Sequence, residues 1–355
     1  MHNNLRLSLR RTLKAIVFHK HGGINVLKYE DHPDPVIRDD EVLVKVRACA
    51  LNHLDIWVRG GLRGVKIPLP HISGCDISGE VADVGKLVDD VNINDKIMVS
   101  PGVSCGRCEY CLAGNDNFCR SYSIIGGYDR NGGYAEYVSV PRENIISKPE
   151  HLSFEDAAAI PLTFLTAWHM LVGRANVRLG ETVLVVAAGS GVGSAVLQIA
   201  KLHGATVIAT AGTDEKLSRA KDLGADYTIN HSNTDHGEAA REITQRAGVD
   251  IVIDHVGKET WMNSITALKH GGRIVTCGAT SGSESVMDIR NLYRRQLAIF
   301  GSFMGSKGEL LELLQFVRAG RLKPVVDSIL PLKDAAKAQE RMENRRHFGK
   351  IVLKI

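Results

Sequence analysis

The chain has 355 residues, a length that predicts two domains with full hydrophobic cores. Apolar residues make up 44% and charged residues 24%, which argues against a disordered or fibrous protein. The net charge of +4 is spread along the chain without dense Lys/Arg blocks, so nucleic acid is not an expected partner. No uncharged apolar run approaches the roughly 18 residues that span a bilayer, so we expect a soluble, cytoplasmic protein with no membrane partner.

The first segment of the chain is basic. Met1 to Tyr29 contains no acidic residue, and leucines alternate with polar residues from Leu5 to Arg10. We expect a disordered basic tail or an extended start here, and a targeting segment is the alternative. The apolar stretch is too short for a secretory signal, and Lys14 to Phe18 is typical of a first strand.

The pattern of apolar residues changes near residue 150. Val42 to Cys49 and Gly79 to Val84 alternate as strands do, so the first part is expected to be β-rich. Phe154 to Ala175 follows a Ser-x-x-Asp capping pattern and predicts a helical stretch with a turn or kink at Pro161. Strand and helix patterns then alternate from Val183 to Cys277, which predicts an α/β region with a parallel sheet.

Four of the seven cysteines form the pattern Cys105-x2-Cys108-x2-Cys111-x7-Cys119. Four thiolates close together can surround Zn²⁺ and leave no position for substrate, so the expected site is structural. Two disulfides are the competing interpretation. The odd cysteine count and the lack of a secretory signal argue against disulfides.

With this lobe, the chain resembles the medium-chain dehydrogenase/reductase superfamily, which includes zinc alcohol dehydrogenases and quinone oxidoreductases. The other matching segments are Ala50 to Asp55, Gly74 to Gly79, Gly132 to Tyr137, the Gly-rich turn at 188–193 and Phe348 to Leu353. The resemblance implies a GroES-like β-rich catalytic domain at 1–160 and 300–355, which carries the zinc lobe at 105–119. It also implies a Rossmann doubly wound parallel-sheet domain at 161–299, and a homodimer or homotetramer.

A Gly-rich turn joins the strand pattern at Val183 to Ala187 to a helix pattern. Backbone amides at the start of such a helix can hold a pyrophosphate. The strict GxGxxG pattern is broken, since Ala188 and Ser190 stand in for its first two glycines. The strand and helix on either side still predict dinucleotide binding. The expected contacts of the turn are Gly189, Ser190, Gly191, Val192 and Gly193.

The end of the second strand favours NADP(H) over NAD(H). By resemblance, Ala211 takes the place of the acid that accepts from the ribose 2′-hydroxyl in NAD enzymes. Thr213 begins the next helix, and Lys216 and Arg219 follow one turn later, where a 2′-phosphate would be attracted. The alternative is that Lys216 and Arg219 are merely solvated. Three further residues are expected beside the nicotinamide: Val256, Gly278 and Ser302.

The resemblance also points to a missing catalytic metal. At the three ligand positions of zinc alcohol dehydrogenases, this sequence carries Asn52, Cys75 and Leu162, so two ligands look lost. The residues that relay the alcohol proton are replaced by Leu54 and Trp57. A simple ketone is hard to polarise without a Lewis acid.

The segment Leu51 to Asp55 instead resembles zinc-free quinone oxidoreductases. Such a site can pass hydride from NADPH to a quinone or an α,β-unsaturated carbonyl, with hydrogen-bond donors meeting the developing negative charge. We predict Asn52 as the first donor, Asp55 as a residue that positions the loop or the ribose, and His53 as a proton exchanger or a structural residue.

Two alternatives remain at this point. Cys75, Asp76 and His53, with Cys49, could form a rearranged metal site and support an alcohol dehydrogenase or aldehyde reductase. The protein could also bind NADPH with little turnover, as some crystallin relatives in this family do.

Overall fold

The computed structural model describes residues 12–62 and 64–355. Residues 1–11 of the predicted basic segment lie outside the described residues. The strand predicted at Lys14 to Phe18 is β1 (Thr12–Val17), which begins two residues earlier and ends one residue earlier. No helix within the described ranges is long and apolar enough to cross a membrane.

Residues 12–62 and 64–150 form mainly short antiparallel strands. After β1 the strands are β2 (Lys28–Pro33), β3 (Glu41–Ala50), β4 (Asp76–Val84), β5 (Lys96–Val99), β6 (Gly102–Val103), β7 (Ser123–Ile124), β8 (Tyr137–Pro141) and β9 (Ile145–Ser147). Helices α1 (His53–Gly60) and α2 (Glu109–Leu112) lie between them. Val42, Val44 and Val46 of β3 are buried while Lys45 is exposed, as the alternating pattern predicts.

The helical stretch after residue 153 is divided into three pieces. The Ser153 hydroxyl accepts from the Asp156 N–H and caps α3 (Phe154–Ala158). Pro161 then opens α4 (Pro161–Trp168) at a position where its missing N–H costs no helical hydrogen bond. A π-helical turn, His169–Arg174, follows. The kink expected at Pro161 is therefore a break between two helices.

The α/β region is a six-stranded, wholly parallel sheet in the strand order β12-β11-β10-β13-β14-β15. Its strands are β10 (Thr182–Val185), β11 (Thr206–Ala211), β12 (Tyr227–Asn230), β13 (Val249–Ile253), β14 (Leu268–Thr276) and β15 (Ala298–Gly301). The helices are α5 (Gly191–Leu202), α6 (Asp214–Asp222), α7 (His236–Ile243), α8 (Trp261–Ala267) and α9 (Ile289–Arg294). Val183 and Leu184 belong to separate hydrophobic clusters, so both faces of the sheet are covered.

The chain then returns to the antiparallel sheet through α10 (Lys307–Arg318), β16 (Val326–Pro331), α11 (Ala335–Glu343) and β17 (Lys350–Lys354). Strand β17 pairs with β16 and with the end of β3, and β4 pairs with β3 on its other side. This pairing brings the start of β17 beside the start of β4 and the loop after β3. Helix α10 buries Leu310 and Leu314 in the core beneath the parallel sheet. The domain boundaries near 160 and 300 stay a prediction.

Candidate active site and metal centre

The cysteine lobe brings four thiols together. The sulfurs of Cys105, Cys108, Cys111 and Cys119 all lie within 4.8 Å of one another, and all seven cysteines are free thiols. The Cys111 sulfur is 3.5 Å from that of Cys108 and 3.9 Å from that of Cys105. With Zn–S bonds of about 2.3 Å, the edge of a ZnS₄ tetrahedron is about 3.8 Å, so the donor set fits zinc. Four thiolates would fill its coordination.

A cavity of about 880 Å³ opens between the antiparallel part of the molecule and the parallel sheet. One wall is mostly apolar and comes from α1 and the loop after it, from β7 and the loop after it, and from α4. It is formed by Leu54, Trp57, Leu62, Ile124, Tyr128 and Leu162. The opposite wall contains the Gly-rich turn and the ends of the parallel strands. Ligands bind at this edge in sheets of this type.

The Gly-rich turn is shaped by Ser190. Its hydroxyl accepts from the Gly193 N–H at 2.9 Å and caps α5. Four of the five predicted contacts, Gly189 to Val192, line the cavity. The Nδ1 atom of His255, also on the cavity wall, is buried and has no hydrogen-bond partner among the described residues. The helix start, which opens onto the cavity, fits the phosphates of a dinucleotide.

Gly193 itself does not line the cavity. A Cβ at this position would lie 2.5 Å from the Ala187 carbonyl oxygen, so glycine is needed for the helix to approach the preceding loop. Its part is therefore to pack α5 against β10, and the phosphate contacts fall to the residues before it.

A basic pocket lies at the tip of β11. Ala211, Thr213 and Lys216 line it, and the Thr213 hydroxyl accepts from the Lys216 N–H as the N-cap of α6. The Lys216 ammonium donates to the Arg345 carbonyl at 2.6 Å, and the Arg345 side chain lines the same cavity. Burial lowers the pKa of Lys216, which a bound anion would oppose.

Arg219 does not reach this pocket. Its guanidinium donates to Asp327 at 3.3 Å and stacks over the Phe348 ring at 4.4 Å. The prediction that Arg219 contacts the cofactor was therefore wrong. Asp327 of β16 binds Arg219 and holds it away from the cavity. Arg345, which sequence reasoning missed, takes the place beside the cavity.

The loop after β3 is held by a buried ionic network. The Lys350 ammonium donates to Asp76 Oδ2 at 2.8 Å, Asn52 Oδ1 at 2.7 Å and the Leu51 carbonyl at 2.6 Å. Asn52 Nδ2 donates to Asp76 Oδ2 at 2.9 Å and, more weakly, to the Cys75 sulfur at 3.4 Å. The Leu162 N–H donates to the other Asp76 oxygen at 2.7 Å. Both amide hydrogens of Asn52, the first predicted donor, are thus engaged inside the protein.

Asp55 lies behind this loop and does not line the cavity. It accepts from the Asn52 N–H at 2.7 Å, the Gly74 N–H at 3.1 Å and the Tyr134 hydroxyl at 2.9 Å. Complete burial raises its pKa to about 6, although these donors favour the carboxylate. Of its two predicted roles, positioning the loop agrees with these contacts, whereas a contact with the ribose does not.

His53 lines the cavity, and other basic side chains lie close to it. Burial first, and then the charges of His255 and Lys350, lower its pKa to about 4. His347, a further lining residue, has its pKa lowered to about 4 by burial and by Lys216. Both imidazoles are therefore neutral at pH 7, so His53 could accept a proton there but has little tendency to hold it.

Of the three residues predicted beside the nicotinamide, two line the cavity and one does not. Val256 and Gly278 line the cavity, and Gly278 faces Trp57 across it. Ser302 is buried away from it, with its N–H bonded to the Thr276 carbonyl at 2.8 Å. Lys350 was missed as a site residue. The matching segment Phe348 to Leu353 was the available signal for it, because that segment placed Lys350 near a family motif.

Comparison with known proteins agrees with this architecture. Residues 38–150 match the alcohol dehydrogenase GroES-like domain, and residues 191–319 match the zinc-binding dehydrogenase family. An NAD-dependent alcohol dehydrogenase of Sulfolobus acidocaldarius is 34% identical, over 97% of this chain and 100% of that protein. A quinone oxidoreductase of Sus scrofa is 30% identical, over 97% and 98%.

A solved structure of an NAD-dependent alcohol dehydrogenase superposes with a TM-score of 0.93 at 50% identity, covering 96% of this chain and 99% of that one. These three proteins are all oxidoreductases, and each is similar to this chain over nearly its full length. The two family models match the two parts of the chain in order. The chain therefore belongs to the medium-chain dehydrogenase/reductase superfamily and is an oxidoreductase of that family.

Proposed function

We propose that this protein reduces a quinone or an α,β-unsaturated carbonyl compound with NADPH, holds one structural zinc per chain and uses no catalytic metal. The observation that carries the proposal is the Lys350 ammonium, 2.8 Å from Asp76 and 2.7 Å from Asn52 Oδ1. This buried cation lies among the residues at the catalytic-metal positions of the family.

A divalent cation has little to bind at these positions. Asn52 and Leu162 offer no thiolate or imidazole, so Cys75 is the one residue at these three positions with a side chain of that kind. The Asp76 carboxylate is already neutralised by Lys350, whose charge would repel a second cation. Among residues 12–62 and 64–355, the zinc lobe is the group in which three or more potential ligand atoms converge.

This arrangement favours an acceptor that carries its own activation. Zinc supplies several kcal/mol of charge stabilisation to a simple carbonyl, and a hydrogen-bonding site supplies less per contact. In a conjugated carbonyl or a quinone, the negative charge that develops is delocalised, so less stabilisation is needed. The apolar wall of Leu54, Trp57 and Ile124 fits such a substrate and keeps water away.

The chain's own residues divide the remaining work. When bound, the reduced nicotinamide cofactor supplies hydride. The start of α5 would hold its phosphates, and Lys350 and Asp76 keep Asn52 fixed at the cavity wall. His53, neutral and on the cavity, could exchange a proton with the product after reduction.

NADPH is preferred over NADH in this proposal, because Ala211 removes the acid and Lys216 and Arg345 provide positive charge at the same end of the cavity. The names of the two NAD-dependent relatives speak for NAD instead. Asp214 is the nearby acid that could take the place of the missing ribose-binding carboxylate. It accepts a hydrogen bond from Asn230 at 2.8 Å and does not line the cavity.

The cofactor preference is tested with Lys216→Ala. We expect kcat/KM for NADPH to fall about 10- to 100-fold, because the variant loses one charge-assisted contact worth about 1.5 to 3 kcal/mol. The value for NADH should change little. Steady-state rates with each cofactor give the answer. Lys221→Ala, on the exposed side of α6, is the matched control. Equal losses with NADPH and NADH in Lys216→Ala would refute a 2′-phosphate contact.

The acceptor class is tested with a matched pair of aldehydes, one conjugated and one saturated, and with a quinone. Purified enzyme is mixed with NADPH and trans-2-hexenal, hexanal or benzoquinone, and loss of NADPH absorbance is followed while zinc is measured in the same preparation. We expect hexenal and quinone to react at least about tenfold faster than hexanal, with about one zinc per chain.

Two other outcomes favour the alternatives. Preference for hexanal together with two zinc ions per chain would support the alcohol dehydrogenase, which the names of two relatives favour. Tight NADPH binding without turnover of any acceptor would support a crystallin-like binding protein.

A further inference from the structure

The inner end of the cavity lacks an obvious donor for the acceptor oxygen. Both amide hydrogens of Asn52 are engaged, by Asp76 and Cys75. The Thr163 hydroxyl donates to the Ala159 carbonyl at 3.1 Å. A reducing site without a catalytic metal still needs a hydrogen bond where negative charge develops.

Tyr128 provides a free hydroxyl at this place. Its side chain lines the cavity and packs against the cluster of Cys75, Ile124 and Met304. Its hydroxyl has no hydrogen-bond partner among the described residues, and it is not one of the polar atoms sealed from solvent. A phenol on a largely apolar wall that is open to the cavity is positioned to bond a ligand.

The place of Tyr128 differs from that of the other free donors. His53 is surrounded by His255, Lys350 and Arg345, toward the basic side of the cavity. Trp57 reaches across to Gly278. Tyr128 instead packs against the cluster that contains Cys75. Cys75 lies at a catalytic-metal position of the family, and its sulfur is 3.4 Å from Asn52 Nδ2.

We propose that Tyr128 is a catalytic residue whose hydroxyl donates a hydrogen bond to the oxygen of the acceptor; this inference rests on the proposed function. Hydride from the cofactor forms the new C–H bond at the β-carbon of an enal. The C=C electron pair moves toward the carbonyl oxygen, where Tyr128 stabilises the enolate, and water later supplies one proton to the α-carbon. The neutral phenol suits this part, because burial and the nearby Cys75 raise its pKa.

The test compares two identical substitutions. Tyr128→Phe removes the hydroxyl from the cavity, while Tyr122→Phe removes one that packs on the same cluster but does not line the cavity. We expect Tyr128→Phe to lower kcat/KM for trans-2-hexenal about 100-fold, as the loss of one oxyanion donor does, and Tyr122→Phe to stay within about twofold. NADPH affinity and thermal stability should be equal in the two variants.

A second measurement does not need turnover. The infrared carbonyl stretch of bound cinnamaldehyde should lie at lower frequency in wild type and in Tyr122→Phe than in Tyr128→Phe, since a hydrogen bond weakens the C=O bond. If wild type reduces no conjugated acceptor, the proposed function fails, and the infrared comparison still decides the contact.

Two results would overturn the assignment of Tyr128. One is an active wild type with Tyr128→Phe as fast as Tyr122→Phe. The other is a carbonyl stretch that is unchanged in Tyr128→Phe and rises only in Thr166→Val, since Thr166 also lines the cavity.

Discussion

Replacing Lys350 with Met is expected to lower the free energy of unfolding by about 3 to 5 kcal/mol, the usual result of removing one partner of a buried ion pair. Asp76 is completely buried, and its pair with Lys350 is 2.8 Å long. Without the ammonium, the carboxylate keeps only neutral donors from Asn52 and Leu162. Urea unfolding followed by circular dichroism measures the loss.

Lys354→Met is the matched control, because Lys354 lies on the same strand and its side chain is 66% exposed in its pair with Glu155. Its loss should stay below about 1 kcal/mol. The double variant Lys350→Met, Asp76→Asn should recover part of the stability, since no buried charge is left unpaired. A Lys350→Met protein as stable as Lys354→Met would mean that the network does not hold the loop.

The same variant should also have low oxidoreductase activity, even where it remains folded. Lys350 fixes the Asn52 side chain and the Leu51 carbonyl, so the loop that begins α1 loses two of its anchors. Helix α1 carries His53 and Trp57 into the cavity. We therefore expect the network to act by position, because Lys350 holds the loop that forms this part of the cavity wall.

The parts of the site that could be predicted from sequence are those whose residues lie close together along the chain. The cysteine lobe could be found because its four cysteines lie in one short segment, and their spacing brings the thiols together. The Gly-rich turn could be found because a strand, a turn and a helix follow one another directly. In both cases the residues that act together are neighbours in the chain.

The parts that sequence missed depend on distant contacts. Lys350 meets Asp76 only because β17 and β4 both pair with β3. Lys216 and Arg219 lie on the same helix and carry the same charge. Asp327 of β16 binds the Arg219 guanidinium, so Arg219 does not reach the cavity. No local pattern distinguishes the two residues. The two residues differ only in the folded chain, where Arg219 pairs with Asp327 and Lys216 does not.

Replacing Cys111 with Ser is expected to reduce zinc from about one to near zero per chain, because a serine hydroxyl is a poor fourth ligand. The effect should reach the cavity. Beside the cysteines, Asp116 accepts from the Lys307 N–H at 2.9 Å at the start of α10, and Asn117 donates to the Phe303 carbonyl at 3.3 Å. Since Phe303 lines the cavity, a loosened lobe should raise KM for the acceptor more than KM for NADPH.

Metal analysis and steady-state kinetics on the same preparation provide the measurement. Binding free energies of about 10 kcal/mol or more contribute to folding in small zinc sites, so melting of the lobe should also be visible as increased proteolysis near residues 105–119. Cys49→Ala, a buried thiol outside the lobe, should keep its zinc and its KM values. Full zinc content in Cys111→Ser would refute the four-thiolate site. Zinc loss with an unchanged acceptor KM would show instead that the lobe folds independently of the cavity wall, and that the bonds from Asp116 and Asn117 do not transmit its state.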